Sequence, residues 1–210
     1  GGPTLPRPPN ALHRRTSGIG SAIGCAAGRT VGADTGRSPV TGCAARWLSV
    51  HAALPAGTPR RYYEPFIGGG AVLFSLTPSS ARVNDLNSEL INLYEVVREG
   101  VDELINLVST YPNDADFFYQ LRAVDRDAER FAALSATERA ARTLYLNKTC
   151  YNGLYRVNSA GQFNAPFGRY KNPTICDADT LRGVHRYFRD NDVTFTQGDF
   201  AAVLPRHPPD

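Results

Sequence analysis

Apolar and polar positions follow a strand, turn and helix pattern from residue 54 onward. The segment "YYEPFIGGGAVLF" (62–74) places a proline and three glycines between two apolar runs, which predicts a strand, a glycine turn and the start of a helix. "SARVND" (80–85) predicts a second strand that ends in an acid. In "LNSELINLYEVVREG" (86–100), apolar residues recur near helical spacing, and Gly100 predicts the end of that helix.

The pattern becomes helical and polar after residue 111. "SATE" (135–138) matches a capping box and predicts the start of a helix that continues through "RAARTLYLN". The following segment (148–173) is rich in glycine, asparagine and aromatic residues, which predicts hairpins and loops, with turns at Asn152–Gly153 and Ala160–Gly161. "ADTLRGVHRYFRDN" (178–191) predicts another helix, and "VTFTQGDF" (193–200) predicts a returning strand that again ends in an acid. This order predicts an α/β fold with a parallel sheet, interrupted by a helical and loop insert.

Residues 1–53 differ from the rest of the chain. Glycine and proline recur, Trp47 is the only aromatic residue and no helical or strand period persists, so we expect a poorly ordered segment here. The chain contains no methionine, so we expect it to be a fragment. The four cysteines lack metal or disulfide spacing, no apolar run is long enough for a membrane span, and the apolar stretch at 14–28 is too glycine-rich to favour an export signal. We expect a cytoplasmic protein that binds no membrane and no metal.

The glycine turn carries the first candidate chemistry. At the carboxyl end of a parallel strand, glycines let backbone N–H groups approach a ligand, and an acid that ends the next strand, Asp85, accepts hydrogen bonds from ribose hydroxyls. The spacing is not GxGxxG, and Glu64 before the turn disfavours a pyrophosphate. A cofactor with a sugar but no phosphate fits better, which favours S-adenosylmethionine. A tight turn without a ligand is the alternative.

A basic and aromatic segment carries the second candidate chemistry. No acid occurs between Arg139 and Cys176, and tyrosines and phenylalanines are interleaved with six cations, namely Arg139, Arg142, Lys148, Arg156, Arg169 and Lys171. Cations neutralise phosphates, and aromatic rings stack on bases that leave a helix. The pattern favours nucleic-acid binding. A solvated basic face with a few core aromatic residues is the alternative. The acids that precede this segment, at positions 114, 116, 125 and 127, are expected to form a solvated face of polar helices.

The blocks "EPFIGGGAVLF", "NDLNSELINLY" and "YLNKTCYNGLYRVNSAGQFNAPFGRYK", in this order, resemble the Dam-type adenine-specific DNA methyltransferases. The resemblance implies a Rossmann-like, S-adenosylmethionine-dependent methyltransferase core in residues 54–110 and 185–210. It implies a DNA target-recognition insert in residues 111–184. The implied partner is double-stranded DNA, methylated on the exocyclic amine of adenine, and we expect the protein to be a monomer.

The resemblance also implies roles for individual residues. It assigns the cofactor site to Glu64, Pro65, Phe66, Gly68 and Gly70, with Asp85 on the ribose and with Asp199 and Phe200 beside the adenine ring. It assigns DNA binding to Lys148, Tyr151, Asn152, Arg156, Arg169 and Lys171. Tyr151 and Asn152 would fill the space around an extruded base, and Arg156 would read the edge of a guanine.

Two motifs of the resembled family are missing from the sequence. No "DPPY"-type motif follows "GDF", and no "GGK"-like motif precedes residue 54, for which a frameshift near residues 45–50 is one explanation. We therefore assign no catalytic residue and expect this chain to be catalytically silent. A non-catalytic DNA-binding protein and a methyltransferase acting on RNA or on a small molecule are the alternatives.

Overall fold

The computed structural model describes residues 61–203. The expectations for residues 1–53 and for the last seven residues lie outside the described part. The described elements are β1 (Tyr62–Glu64), α1 (Ala71–Leu76), β2 (Ser80–Asp85), α2 (Ser88–Ser109), α3 (Ala115–Ala123), α4 (Ala128–Ala132), α5 (Ala136–Thr149), α6 (Ala178–Asp190), β3 (Asp192–Gln197) and α7 (Phe200–Val203). Short 3-10 turns occupy Val124–Arg126 and Tyr151–Gly153.

The three strands form one parallel sheet in the order β1-β2-β3. Glu64 pairs with Val83 and Asp85 pairs with Gln197, so the carboxyl ends of all three strands meet at one edge. The predicted strands and their parallel arrangement are confirmed, and the molecule is a mixed α/β structure. The loops that carry the glycine turn, Asp85 and Asp199 all leave the sheet at this edge.

The predicted end of the second helix at Gly100 is wrong. Helix α2 continues to Ser109, with only a kink at Gly100 (φ −143°, ψ 47°). Beyond the kink, Val101, Leu104 and Val108 extend the buried face of the helix. Their burial outweighs the weak helix propensity of a single glycine.

The buried side chains form two hydrophobic clusters. The main cluster lies between the sheet and helices α1, α2 and α6, and includes the contacting rings of Phe74, Tyr94, Phe188 and Phe195. The second cluster lies under the predicted insert and comprises Phe118, Tyr145, Leu146, Cys150, Phe163 and Ala165. Helix α5 contributes to both clusters, and the predicted capping box at its start is confirmed.

Candidate functional site

The glycine turn requires glycine at defined positions. Gly68 and Gly70 both have positive φ values, 48° and 74°. A Cβ on Gly70 would lie 2.5 Å from Cε2 of Phe74 and 3.0 Å from the hydroxyl of Tyr94. The turn therefore combines a left-handed backbone with close side-chain packing, and only glycine tolerates both.

The turn is tied directly to the loop that follows β2. The N–H of Gly68 donates to Oδ2 of Asp85 at 3.0 Å, and the N–H of Asn87 donates to Oδ1 of the same carboxylate at 3.0 Å. The hydroxyl of Tyr94, on α2, donates to the carbonyl of Gly68 at 2.8 Å. Two of the predicted cofactor residues, Gly68 and Asp85, are thus in contact, and a buried tyrosine supports them from below.

Sequence reasoning missed Asn84, which joins the loops at this edge. Its buried side-chain amide donates to the carbonyls of Pro65, at 3.1 Å, and Gly198, at 2.9 Å. Its Oδ1 accepts from the hydroxyl of Thr196 at 3.1 Å. A buried asparagine with all of these bonds fixes the spacing between the loops that follow β1 and β3. The available signal was a polar residue at a buried position of the β2 pattern, directly before Asp85.

The carboxyl group of Glu64 is held inside this edge. The hydroxyl of Tyr62 donates to it at 3.0 Å. Burial raises the pKa of Glu64 to about 7, and the nearby charge of Asp85 adds to the rise, while hydrogen bonds from Tyr62 and the Leu73 backbone oppose it. The electrostatic influence of Asp85 on this pKa shows that two of the predicted cofactor acids share one environment.

Two exposed aromatic rings meet at the same edge. Phe66, in the glycine turn, and Phe200, after β3, lie with their ring centroids 5.3 Å apart, and each side chain is close to half exposed. Oδ1 of Asp199 accepts from the N–H of Ala201 at 2.8 Å and so orients the start of α7. Leu86, which follows Asp85, is 72% exposed, which sequence reasoning also missed. Large apolar side chains left exposed beside a polar loop cluster are typical of ligand sites.

The insert presents a second group of predicted residues on two paired segments. Cys150 and Phe167 form an antiparallel bridge, flanked by a bond from the N–H of Tyr151 to the carbonyl of Pro166 at 2.8 Å. The N–H of Asn152 donates to the hydroxyl of Tyr170 at 2.9 Å. This pairing brings exposed Tyr151 and Asn152 next to the segment that carries Arg169 and Lys171, which are also exposed. Lys148 is half-buried at the end of α5.

Unusual backbone geometry occurs in this pairing. Asn152 and Arg169 both have φ of 54°. This value lies in the left-handed region of backbone conformation, which residues other than glycine rarely adopt. Gly168 lies between the segments, where a Cβ would be 2.9 Å from the carbonyl oxygen of Cys150. Such strain persists where the surroundings enforce it and is frequent at binding sites. The need for glycine at 168 was not visible in the sequence, because the crowding atom belongs to the other segment.

A hairpin follows the first of these segments. Val157 and Phe163 form an antiparallel bridge, and Oδ1 of Asn158 accepts from the N–H groups of Ala160 and Gln162. Gly161 has φ of 77°, so the predicted turn at Ala160–Gly161 is confirmed. Arg156 is exposed at the base of this hairpin.

Two of the six cations in the basic segment are held in ion pairs with acids of the protein. Arg139 forms an ion pair with Glu89, and Arg142 is buried with its Nη2 2.7 Å from Oδ2 of Asp125. The expectation that the acids around residue 125 form a solvated face is wrong for Asp125, whose side chain is 10% exposed. Asp114 and Asp127 are exposed, as expected, and also cap helices α3 and α4. The charge pattern of the sequence therefore overstated the number of cations free to meet phosphate.

Cys150 is a packing residue of the second cluster. Its thiol is fully buried in the second cluster and lies 3.4 Å from the carbonyl of Asn147. Burial raises its pKa to about 11, so the thiol stays protonated and is a poor nucleophile.

Among residues 61–203, no cluster of three or more His, Cys, Asp or Glu side chains is arranged to hold a metal ion. No helix in that range is long and apolar enough to cross a membrane.

The sheet edge with its glycine turn and the hairpin segment both lie in a region of the chain that matches a known protein family. Residues 48–210 match the family model of D12 class N6 adenine-specific DNA methyltransferases. The chain belongs to this family.

Curated relatives agree with the family match. The chain is 45% identical over 145 residues to the type II methyltransferase M1.LlaDCHI of Lactococcus lactis subsp. cremoris, covering 68% of this chain and 51% of the relative. It is 39% identical over 157 residues to the DNA adenine methylase of Escherichia coli K12, covering 70% and 54%. It is 36% identical over 153 residues to the DNA N-6-adenine-methyltransferase of Escherichia phage P1, covering 72% and 19%. The chain thus spans about half the length of the first two relatives.

Proposed function

We propose that this protein is an adenine-specific DNA methyltransferase that uses S-adenosylmethionine and modifies double-stranded DNA. The observation that carries the proposal is the bond from the Gly68 N–H to Asp85, which joins the glycine turn and the strand-end acid at the carboxyl edge of the sheet. Ligands of α/β proteins bind at this edge. Family membership supplies the reaction, which is methyl transfer to the exocyclic amine of adenine. A DNA-modifying role also supports the expected cytoplasmic location.

We propose a Rossmann-like core in residues 54–110 and 185–210 and a target-recognition insert in residues 111–184. The two hydrophobic clusters support this division, since the main cluster packs on the sheet and the second packs under the hairpin segment. Helix α5 belongs to both clusters and connects them. A movement of the hairpin relative to the carboxyl edge of the sheet, which we call the cofactor edge, would therefore have to disturb a buried helix.

Several groups at the cofactor edge support the proposed nucleoside site. Each oxygen of Asp85 accepts one backbone N–H, so both retain lone pairs for ribose hydroxyls. Gly68 and Gly70 keep the turn free of side chains, and the exposed rings of Phe66 and Phe200 offer apolar surface to an adenine ring. Glu64, Pro65 and Asp199 complete the proposed site. When bound, S-adenosylmethionine supplies a sulfonium methyl group, and the chain's own task is to bind and orient it.

The DNA site is proposed for the paired segments and the hairpin. Tyr151 is 53% exposed, so its ring is available to stack where a base leaves the duplex, and Asn152 lies beside it. Arg156 is the proposed reader of a guanine edge. Lys148, Arg169 and Lys171 are the proposed phosphate contacts. We assign no catalytic residue among residues 61–203.

The test separates the proposed function from the alternatives. The purified chain is titrated calorimetrically with S-adenosylmethionine and is then used to select from duplexes with a randomised centre. We expect cofactor binding and enrichment of a preferred duplex sequence, and we expect Arg156→Ala to lose the preference at one base pair by about 1–3 kcal/mol. Sequence selection without cofactor binding would favour a non-catalytic DNA-binding protein. Cofactor binding with preference for RNA over duplex DNA would favour an RNA methyltransferase.

A further inference from the structure

The proposed reader, Arg156, is held by a single neighbour across the base of the hairpin. Its Nε donates to Oδ1 of Asn164 at 2.7 Å, and its Nη2 donates to the carbonyl of Asn164 at 3.0 Å. The N–H of Asn164 returns a bond to the carbonyl of Arg156 at 2.9 Å. Three hydrogen bonds between the same two residues fix both the backbone pairing and the direction of the guanidinium group.

This contact determines which part of the guanidinium group faces outward. The fork formed by Nε and Nη2 is occupied by Asn164, whereas Nη1 has no partner among residues 61–203. An arginine reads guanine through a two-donor fork directed at O6 and N7. The fork left to Arg156 is the terminal one, made by Nη1 and the outer hydrogen of Nη2. A long flexible side chain is thereby restricted to one presentation before it meets DNA.

Asn164 is itself fixed from both sides through backbone atoms. The N–H of Phe163 donates to Oδ2 of Asp125 at 2.8 Å, and its carbonyl accepts from Nη2 of Arg126 at 2.6 Å. The carbonyl of Ala165 accepts from Nη1 of Arg122 at 3.0 Å. These three side chains come from α3 and the 3-10 turn after it. The residues on either side of Asn164 are thus anchored to the helical layer.

The anchor is continuous with the protein interior. Asp125 pairs with the buried guanidinium of Arg142, which also donates to the carbonyls of Leu121 and Arg122 at 2.9 and 3.0 Å. A buried pair with further hydrogen bonds holds its geometry more firmly than an exposed pair. A chain of contacts therefore runs from helix α5 through Asp125 and Asn164 to the outward fork of Arg156.

We propose that Asn164 is a positioning residue that sets sequence specificity by holding the terminal fork of Arg156 toward the DNA bases. The inference rests on the proposed function, because it needs Arg156 to read a base. It differs from a role for Asn164 as a direct contact to the DNA backbone. A backbone contact would strengthen binding to all duplexes alike, whereas a positioning residue changes the preference at the base pair that Arg156 reads.

The experiment uses the full chain and duplexes with a randomised centre. It compares the wild type, Arg156→Ala, Asn164→Ala, the double variant and Asn164→Asp, all checked for folding by thermal unfolding. Asn164→Ala is expected to reduce preference about tenfold at the base pair lost in Arg156→Ala, and the double variant is expected to be no less selective than Arg156→Ala alone. Asn164→Asp keeps an acceptor for Nε, so it should preserve the preference while its added negative charge weakens binding to all duplexes.

The outcomes separate this inference from the proposed function. A wild-type chain that selects no duplex sequence removes the proposed function and this inference with it. A selective wild type whose preference survives Asn164→Ala overturns only the inference. The inference is equally overturned if Asn164→Ala weakens all sequences uniformly, if its effect adds fully to that of Arg156→Ala, or if Asn164→Asp abolishes the preference.

Discussion

Replacing Glu64 by glutamine tests how the cofactor edge is built, through the pH dependence of stability. Burial raises the pKa of Glu64 from its usual 4.5 to about 7 in the folded protein. Below pH 4.5 the carboxyl group is protonated in both states, so its burial costs no ionisation penalty. As the pH rises, the unfolded chain ionises first, so the wild-type unfolding free energy falls until the folded carboxyl group also ionises near pH 7. Glutamine cannot ionise and shows no such fall.

The size of the effect follows from the two pKa values. A rise from 4.5 to about 7 corresponds to about 3 kcal/mol once both states are ionised. Roughly 1 kcal/mol of this is already lost at about pH 5, which leaves about 2 kcal/mol between about pH 5 and pH 8. The Glu64→Gln variant should therefore gain about that much stability relative to the wild type across this range.

Urea unfolding of both proteins across this pH range measures the difference. All other titratable groups are the same in both proteins, so their contributions to the difference cancel. Tyr62→Phe serves as a matched second variant: it removes the hydroxyl that lowers the pKa of Glu64, so the fall in stability should extend to higher pH. A difference between wild type and Glu64→Gln that stays constant with pH would show that the carboxyl group is solvated, and the reasoning would be refuted.

Three further predictions concern the cofactor edge, the DNA surface and the interior of the insert. Asp85→Ala should weaken S-adenosylmethionine binding by roughly 1.5–3 kcal/mol in calorimetry, because charge-assisted bonds to the ribose are lost; unchanged affinity of a folded variant would exclude the assignment. Lys171→Ala should weaken all duplexes alike and lower the salt dependence by about one unit, and a change in base preference would contradict a phosphate contact. Arg142→Met should cost up to about 3–5 kcal/mol in thermal or urea unfolding, because it removes the buried cation beside Asp125 and leaves only the more exposed Arg126 to pair with that carboxylate. Adding Asp125→Asn should recover part of that loss, and full additivity of the two changes would argue against the pair.

Local sequence was sufficient where the physical cause lies within a few residues. The glycine turn, the capping box at Ser135 and the turn at Gly161 were all predicted, because each depends on backbone conformation or on a bond between near neighbours. The strand and helix pattern also predicts the parallel sheet, in which Gly68 and Asp85 lie at one edge.

Gly100 shows the limit of such local rules. A glycine after an apolar stripe predicts the end of a helix, yet α2 continues because the residues after the kink are buried against the core. Packing against side chains that are distant in sequence stabilises the part of the helix after Gly100. A local sequence pattern does not include this contribution.

Charge was the property that the sequence represented least well. In the sequence, Arg142 and Arg156 are two similar cations in an acid-free segment, but Arg142 is paired inside the protein and Arg156 is exposed on the hairpin. The partner that distinguishes them, Asp125, lies outside that segment. The residue type fixes the charge of a side chain. The ion-pair partner of that side chain depends on which other elements of the protein fold against it.

The order of residues along the chain predicts the class of protein, the order of its elements and the loops that carry the candidate chemistry. The contacts that hold those loops together form only when the chain folds. Asn84 bonds to the carbonyl of Gly198, 114 residues further along the chain, and Asp125 bonds to the backbone of Phe163, 38 residues away. Hydrogen bonds of this kind depend on distances of about 3 Å between groups that no sequence spacing relates, so they exist only once the chain has folded.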